Sequence, residues 1–234
     1  MASDIDTMSR NRILAGLPLD LAKAVSNDLS LISLKQPQLI VERGAIIEFI
    51  YFPISCLISM VVDLQNGNTV EALTVGNDGF VETAAYFGKT NSTFKGLVQI
   101  SGDALRMRVE DFRTHLEDPS FREPAGSYVE DAMAMLAQSS ACLAFHPVEQ
   151  RLARWLLEVE DRVNSDELGL TQEFLAQMLG VQRPTATIAV RMLVTADLIS
   201  HRRGNVRIID RPRLEEAACE CYVTARERIE AQEP

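Results

Sequence analysis

Five side chains within a nine-residue stretch carry the donors and methyl groups that read base edges: Arg183, Thr185, Thr187, Ile188 and Arg191. An arginine fork can take a guanine edge or a phosphate, threonine can bond to either, and isoleucine can meet a thymine methyl. Further on, Arg202 and Arg203 precede Gly204-Asn205, a basic turn suited to phosphate. Residues 183–213 hold seven arginines against Asp197 and Asp210, a local balance of +5 in a chain of net charge −10. An acidic chain does not coat nucleic acid generally, so any contact must come from this local patch and must weaken with salt.

The elements that would position these groups can be read locally. Phe174, Leu175, Met178 and Leu179 recur at helical spacing after Thr171, a suitable N-cap, with Gln172 and Glu173 in the first turn. Gly180 follows where a left-handed C-cap favours glycine. A second helix starts near Arg183, with Pro184 in its first turn, where a missing N–H costs nothing. Ala186, Ala189, Val190 and Leu193 would pack it against the first helix, leaving the five readers outward. Thr171 and Gln172, at the opening of the first helix, complete the DNA-facing candidates. Two β-type runs follow, Leu198–His201 and Val206–Ile209, joined by the basic turn. Helix, turn, helix and basic hairpin together describe a winged helix.

Upstream, residues 1–9 read as a loose tail, and 10–34 show helical periodicity broken by Pro18. From 37 to 110, short β-rich runs alternate with turns such as Arg43-Gly44, Asn66-Gly67 and Gly76-Asn77-Asp78-Gly79, the pattern of an antiparallel barrel or jelly roll. A short helix covers 110–117. A long helix then follows Pro124 to about Phe145, and Val129, Ala132, Leu136, Ser139 and Leu143 fall on it at steps of three and four, as a dimerisation seam would. His146-Pro147 ends it, because a residue before proline avoids helical ψ. An amphipathic helix from Pro147 to about Val163 opens the last domain, with Val148, Leu152, Trp155, Leu156 and Val159 on its apolar side.

This order resembles the Crp/Fnr family of bacterial transcription regulators over essentially the whole chain. The matching residues include Gly44, Tyr51-Phe52-Pro53 and Gly76-Asn77-Asp78-Gly79 in the first half. More specific are Glu149 to Leu156 (EQRLARWL), Leu170 to Glu173, Leu179-Gly180-Val181 and Leu198-Ile199. The resemblance implies an α+β chain: an N-terminal jelly roll of the cyclic-nucleotide-binding type (10–120), a dimerisation helix (121–146), a winged helix-turn-helix (147–214) and a terminal helix or tail (215–234). It further implies a cytoplasmic homodimer on an inverted-repeat operator, with RNA polymerase as a candidate partner.

The departures are equally informative. Relatives that bind cyclic AMP place a glutamate and an arginine on a phosphate-binding segment, whereas the only cations this chain offers between Asp78 and Leu105 are Lys89 and Lys95. Without an arginine fork the phosphate loses its bidentate partner, so cyclic AMP and cyclic GMP are not expected to bind. The iron–sulfur branch uses an N-terminal cysteine cluster, and no cysteine precedes Cys56. His115, His146 and His201 are too scattered to suggest haem ligation. On the recognition helix Arg183 matches the family's base-reading pattern, but Pro184 and Ile188 occupy the other two reading positions, so the operator of well-known relatives does not transfer.

No enzyme is expected: a cupin-type metal site needs clustered histidines, and residues 37–110 contain none. The competing reading is an interaction module that uses the winged helix to bind protein. No cofactor or metal is expected, no 18-residue apolar run suggests a membrane span, and no secretory signal is evident. Cys219-Glu220-Cys221 is a weak C-x-C motif, read as free thiols on a terminal helix. Cys142 reads as packed, and His146 as a helix-end residue.

Overall fold

A computed structural model describes residues 5–163, 167–202 and 204–230. It divides into two compact units, the first comprising residues up to 60 and 74–134, the second 61–73 and 135 onward. The stretch expected to be a tail instead contains a helical turn, α1 (Ile5–Met8), with Met8 buried. After α2 (Arg12–Ala15) and α3 (Leu19–Asp28), the expected helix to 34 stops early and Leu29–Leu34 becomes strand β1. This correction has a non-local cause. β1 pairs antiparallel with β7 (Gly102–Arg108) from Leu29 opposite Met107 to Leu34 opposite Gly102, and that ladder overrides local helical spacing.

The remaining strands are β2 (Leu39–Val41), β3 (Phe49–Pro53), β4 (Leu57–Asp63), β5 (Thr69–Val75) and β6 (Lys95–Ile100). They form two sheets with orders β1-β7-β3 and β2-β6-β4-β5, the sheet core anticipated from the short runs and turns. The first unit is filled by a chain of aromatic rings. Phe80 stands 5.0–5.7 Å from each of Phe52, Phe112 and Tyr128, and Phe121 lies 5.6 Å from Phe112. Gly79 is required there by space, since an added Cβ would fall 2.0 Å from the Tyr128 ring. Asn11 closes this corner, donating from Nδ2 to the carbonyls of Pro53 and Gly79 at 3.0 and 2.9 Å.

Helix α4 (Val109–His115) precedes the long helix α5, which begins at Pro119 rather than after Pro124 and runs to Phe145. Asp118 starts it, accepting the Ser120 N–H at 2.8 Å, and Pro124 lies one turn inside, where a single hydrogen bond is lost. Of the expected seam, Val129 and Ala132 are buried within the chain itself, Leu136 and Ser139 are half-buried and Leu143 is exposed. The free surface of α5 instead carries Met133, Ala137, Ser140 and Ala144, again at steps of four and three.

The second unit contains α6 (Val148–Val163), β8 (Glu167–Leu168), α7 (Gln172–Leu179), α8 (Arg183–Thr195), β9 (Ile199–Arg202), β10 (Asn205–Ile208), α9 (Arg211–Ala217) and α10 (Cys221–Glu230). Strand β8, which the local pattern does not announce because it is two residues long, joins β10 and β9 as a three-stranded wing sheet. Leu152, Trp155, Leu156 and Val159 of α6 are buried as the periodicity required. Trp155 Nε1 also donates to Glu71 Oε1 at 2.7 Å, tying the 61–73 segment to α6.

Candidate nucleic-acid interface

The geometry of the turn follows from its local chemistry. Thr171 Oγ1 accepts the Phe174 N–H at 3.2 Å and so caps α7. Gly180 ends α7 at φ 62°, the left-handed conformation in which an L side chain is strained. Beneath it, the buried Arg151 of α6 donates to the Leu179 carbonyl at 3.1 Å, placing a cation where α7 leaves its last acceptors. Helix α8 begins after Gln182 with Pro184 in its first turn. Ala186, Ala189, Val190 and Leu193 are all buried, at 0–4% exposure, so small side chains let α8 lie close over α7 and α6.

The opposite face of α8 is open. Arg183, Thr185 and Arg191 are exposed, Ile188 is 60% exposed and Thr187 is half-buried. Met192, at 49% exposure, extends this face and was not anticipated. Its signal was present in the helical period, one residue after Arg191. Thr187 is tied down on both sides, its hydroxyl lying 2.9 Å from Gln172 Oε1 and 2.9 Å from the Arg183 carbonyl. Gln172 therefore joins α8 through Thr187. Arg183 Nε stands 3.8 Å from Glu173 Oε2, both side chains being about two-thirds exposed, a pairing worth little in water. An approaching phosphate or guanine can take the arginine from that glutamate.

On the wing, β9 and β10 pair from Asn205 opposite Arg202 to Ile208 opposite Ile199. Arg202 is exposed at the tip, and Gly204 has φ 81°. Arg203, the second expected phosphate contact, lies outside the described residues.

The basic run is smaller than its arginine count. Arg211 faces inward to Glu160, Asp161 at 2.6 Å, Glu215 at 3.0 Å and the Tyr222 hydroxyl at 2.7 Å. Although burial opposes its charge, the neighbouring carboxylates raise its pKa further. Arg211 is thus a structural tie, and Arg213 similarly donates to the Ala196 carbonyl at 3.2 Å.

The residues that could hold a metal lie elsewhere in the second unit. By sequence Cys142, His146 and the Cys219–Cys221 pair stand apart, and the fold brings their donor atoms within 4.8 Å of one another. In the first unit, a cleft of about 120 Å³ is lined by Ile40, Ile47 and Tyr51 with Glu42, Glu48 and Glu82. Burial pushes the Glu82 carboxyl up to about 7, partly opposed by a hydrogen bond from Ser92.

The arrangement, in chain order, is a sheet core, a long helix and a winged helix whose α8 carries an open face. Residues 150–217 match the Crp-like helix-turn-helix domain. The solved structures similar to the chain include FixK2 from Bradyrhizobium japonicum, 13% identical, covering 82% of this chain and 98% of that one with a TM-score of 0.68. The regulator CLP of Xanthomonas campestris is 14% identical, covering 82% and 99%, with a TM-score of 0.67. TTHA1359, a regulator of the Crp/Fnr family from Thermus thermophilus, is 20% identical, covering 81% and 98%, with a TM-score of 0.68. No curated protein matches the sequence. Residues 150–217 are therefore a Crp-like helix-turn-helix domain, and the chain has the fold of the Crp/Fnr regulators.

Proposed function

We propose that this protein is a sequence-specific DNA-binding transcription regulator that acts as a homodimer on an inverted-repeat site. The observation that carries this reading is the exposed face of α8: Arg183, Thr185, Ile188 and Arg191 stand clear of the packed alanine side. Arg183 takes a guanine edge, Ile188 a thymine methyl, and Arg202 a phosphate flanking the groove. Arg203 belongs to the same wing by sequence. Gln172 and Thr187 join α7 to α8, and with Thr171 at the α7 N-cap they share in backbone contact. The protein-binding alternative has less support, because the open face of α8 sets Ile188 and Met192 among arginines and threonines rather than forming a continuous apolar anchor surface.

The dimer is proposed to form along α5, with Leu136, Ser139 and Leu143 at the edge of a stripe of Met133, Ala137, Ser140 and Ala144. Small residues at seven-residue repeats let two such helices approach closely. For the first unit we infer a sensor that does not take cyclic AMP, since three glutamates line its cleft and would repel a phosphate, while the neighbouring Arg106 stacks on Phe49. The signal is then of another chemistry. No catalytic role is assigned.

Retention on duplex DNA against salt tests the reading. The full chain is expected to bind mixed-sequence duplex at low salt and to lose affinity linearly on a logarithmic salt scale. Ile188→Glu, which places a carboxylate on the exposed face, is expected to abolish retention without unfolding the protein. Equal retention of Ile188→Glu and the parent would move the interface off α8.

A further inference from the structure

Four soft or borderline donors converge at the end of α5. Cys142 and His146 stand one helical turn apart, with the His146 N–H still bonded to the Cys142 carbonyl at 3.1 Å, so both side chains leave the same face. Cys219 lies in the link between α9 and α10, and Cys221 is the first residue of α10. All three thiols are buried, at 0, 4 and 1% exposure. Cys142 Sγ is 3.5 Å from Cys219 Sγ, and Cys221 Sγ is 3.5 Å from His146 Nδ1.

We propose that Cys142, His146, Cys219 and Cys221 form a closed zinc site that fastens the α9–α10 link to the corner between α5 and α6. The spacing fits the ion. Two thiolates about 2.3 Å from a tetrahedral zinc lie about 3.8 Å apart, and a thiolate and an imidazole slightly closer. The donors here are already near that separation, needing shifts of a few tenths of an ångström to about 1 Å. A lone disulfide would use two of the four donors and leave His146 unexplained.

The surroundings are those of a metal centre. His146 Nε2 stands 3.1 Å from Glu220 Oε2, so the ring donates to that carboxylate and Nδ1 is left facing the thiols with its lone pair. This carboxylate–histidine pairing orients ligating imidazoles generally. Gln138 Nε2 donates to Cys221 Sγ at 3.0 Å, a bond suited to a thiolate. Three thiolates around a divalent ion leave one net negative charge. Arg154, paired with Glu158 at 2.8 Å, is near enough for its charge also to act on Cys142 and Cys219. With four protein ligands there is no open position, so the role is structural rather than catalytic. Thiolate-rich tetrahedral sets select zinc over magnesium or calcium.

The test is metal content of the full-length protein, reduced, exposed to one equivalent of zinc and desalted. It is read without DNA, so it stands or falls apart from the regulatory reading. About one zinc per chain is expected, with Cys56→Ser retaining it and Cys142→Ser or Cys219→Ser holding less than about a fifth as much. Cobalt in place of zinc should give the visible absorption of a tetrahedral thiolate complex. Glu220→Gln should keep the stoichiometry but weaken zinc roughly 10–100-fold against a competing chelator. Stripping the metal should lower the unfolding midpoint by roughly 5–10 °C. The proposal is overturned if the parent protein keeps no zinc while its four thiols titrate freely. It is equally overturned by a Cys142–Cys219 disulfide in the purified chain, or by iron with acid-labile sulfide at these cysteines.

Discussion

At the residue scale, the different roles proposed for Arg183 and Arg202 mean that the two should fail differently. The Arg183 side chain, at the N-terminal end of α8, is paired with Glu173 in an exposed contact. Arg183→Ala should cost about 1–3 kcal/mol per half-site and relax preference at one base pair. Arg202→Ala should weaken all sequences alike and flatten the salt slope by about one unit. Binding titrations against a panel of single-base operator variants distinguish the two, and unchanged base preference in Arg183→Ala would reduce that arginine to a backbone contact. A second residue-scale prediction concerns Glu82, 3% exposed, whose carboxyl burial raises to about 7. Between about pH 4.5 and 7 the unfolded chain gives up a proton that the folded chain keeps, so this residue's contribution to stability falls as pH rises through that window and is level above it. Glu82→Gln should remove that part of the slope and stabilise the protein at pH 8 by about 2–3 kcal/mol. Denaturant unfolding at about pH 5 and pH 8 checks this, and equal gains at both pH values would contradict it.

At the scale of elements, what could be read in the sequence was what is encoded within a turn or two. Thr171, Gly180 and Pro184 mark the ends of α7 and α8 by capping chemistry, and their apolar faces by period, so both helices fall where expected. Gly180→Ala should cost about 1–2 kcal/mol, since its φ of 62° suits glycine and its Cβ would come 2.8 Å from Val70, lowering the unfolding midpoint by several degrees. An unshifted midpoint would show that the turn relaxes. What the sequence hid depends on distant partners. Leu29–Leu34 became a strand because β7, more than 60 residues away, supplies its ladder. Arg211 counted as a basic-patch residue until the fold set Glu160 and Asp161 against it. Cys142 and Cys219, 77 residues apart, meet only when α9 packs on α6, and neither C-x-C nor a cysteine four residues before a histidine could announce the four together. On α5, periodicity reports that an apolar face exists and not whether the chain itself covers it: Val129 and Ala132 are buried within the chain, whereas Leu143 is exposed.

At the scale of the whole molecule, α5 should join two copies. Ala137 is exposed on the free stripe, so Ala137→Glu should leave the fold intact and yield monomers by light scattering, as should Leu136→Glu. A dimer persisting in both variants would place the interface elsewhere. Dimerisation and base reading combine in one expectation, that two α8 helices read one two-fold symmetric site. Selection of bound duplexes from a random pool by the full-length protein decides it. The pool should be enriched in an inverted repeat whose half-site centres lie roughly 34–36 Å apart, one turn of the double helix, with the preferred base under Arg183 lost when Arg183→Ala is used instead. A pool that emerges with no symmetric site, or the same site selected equally by Arg183→Ala and Ile188→Glu, would contradict it.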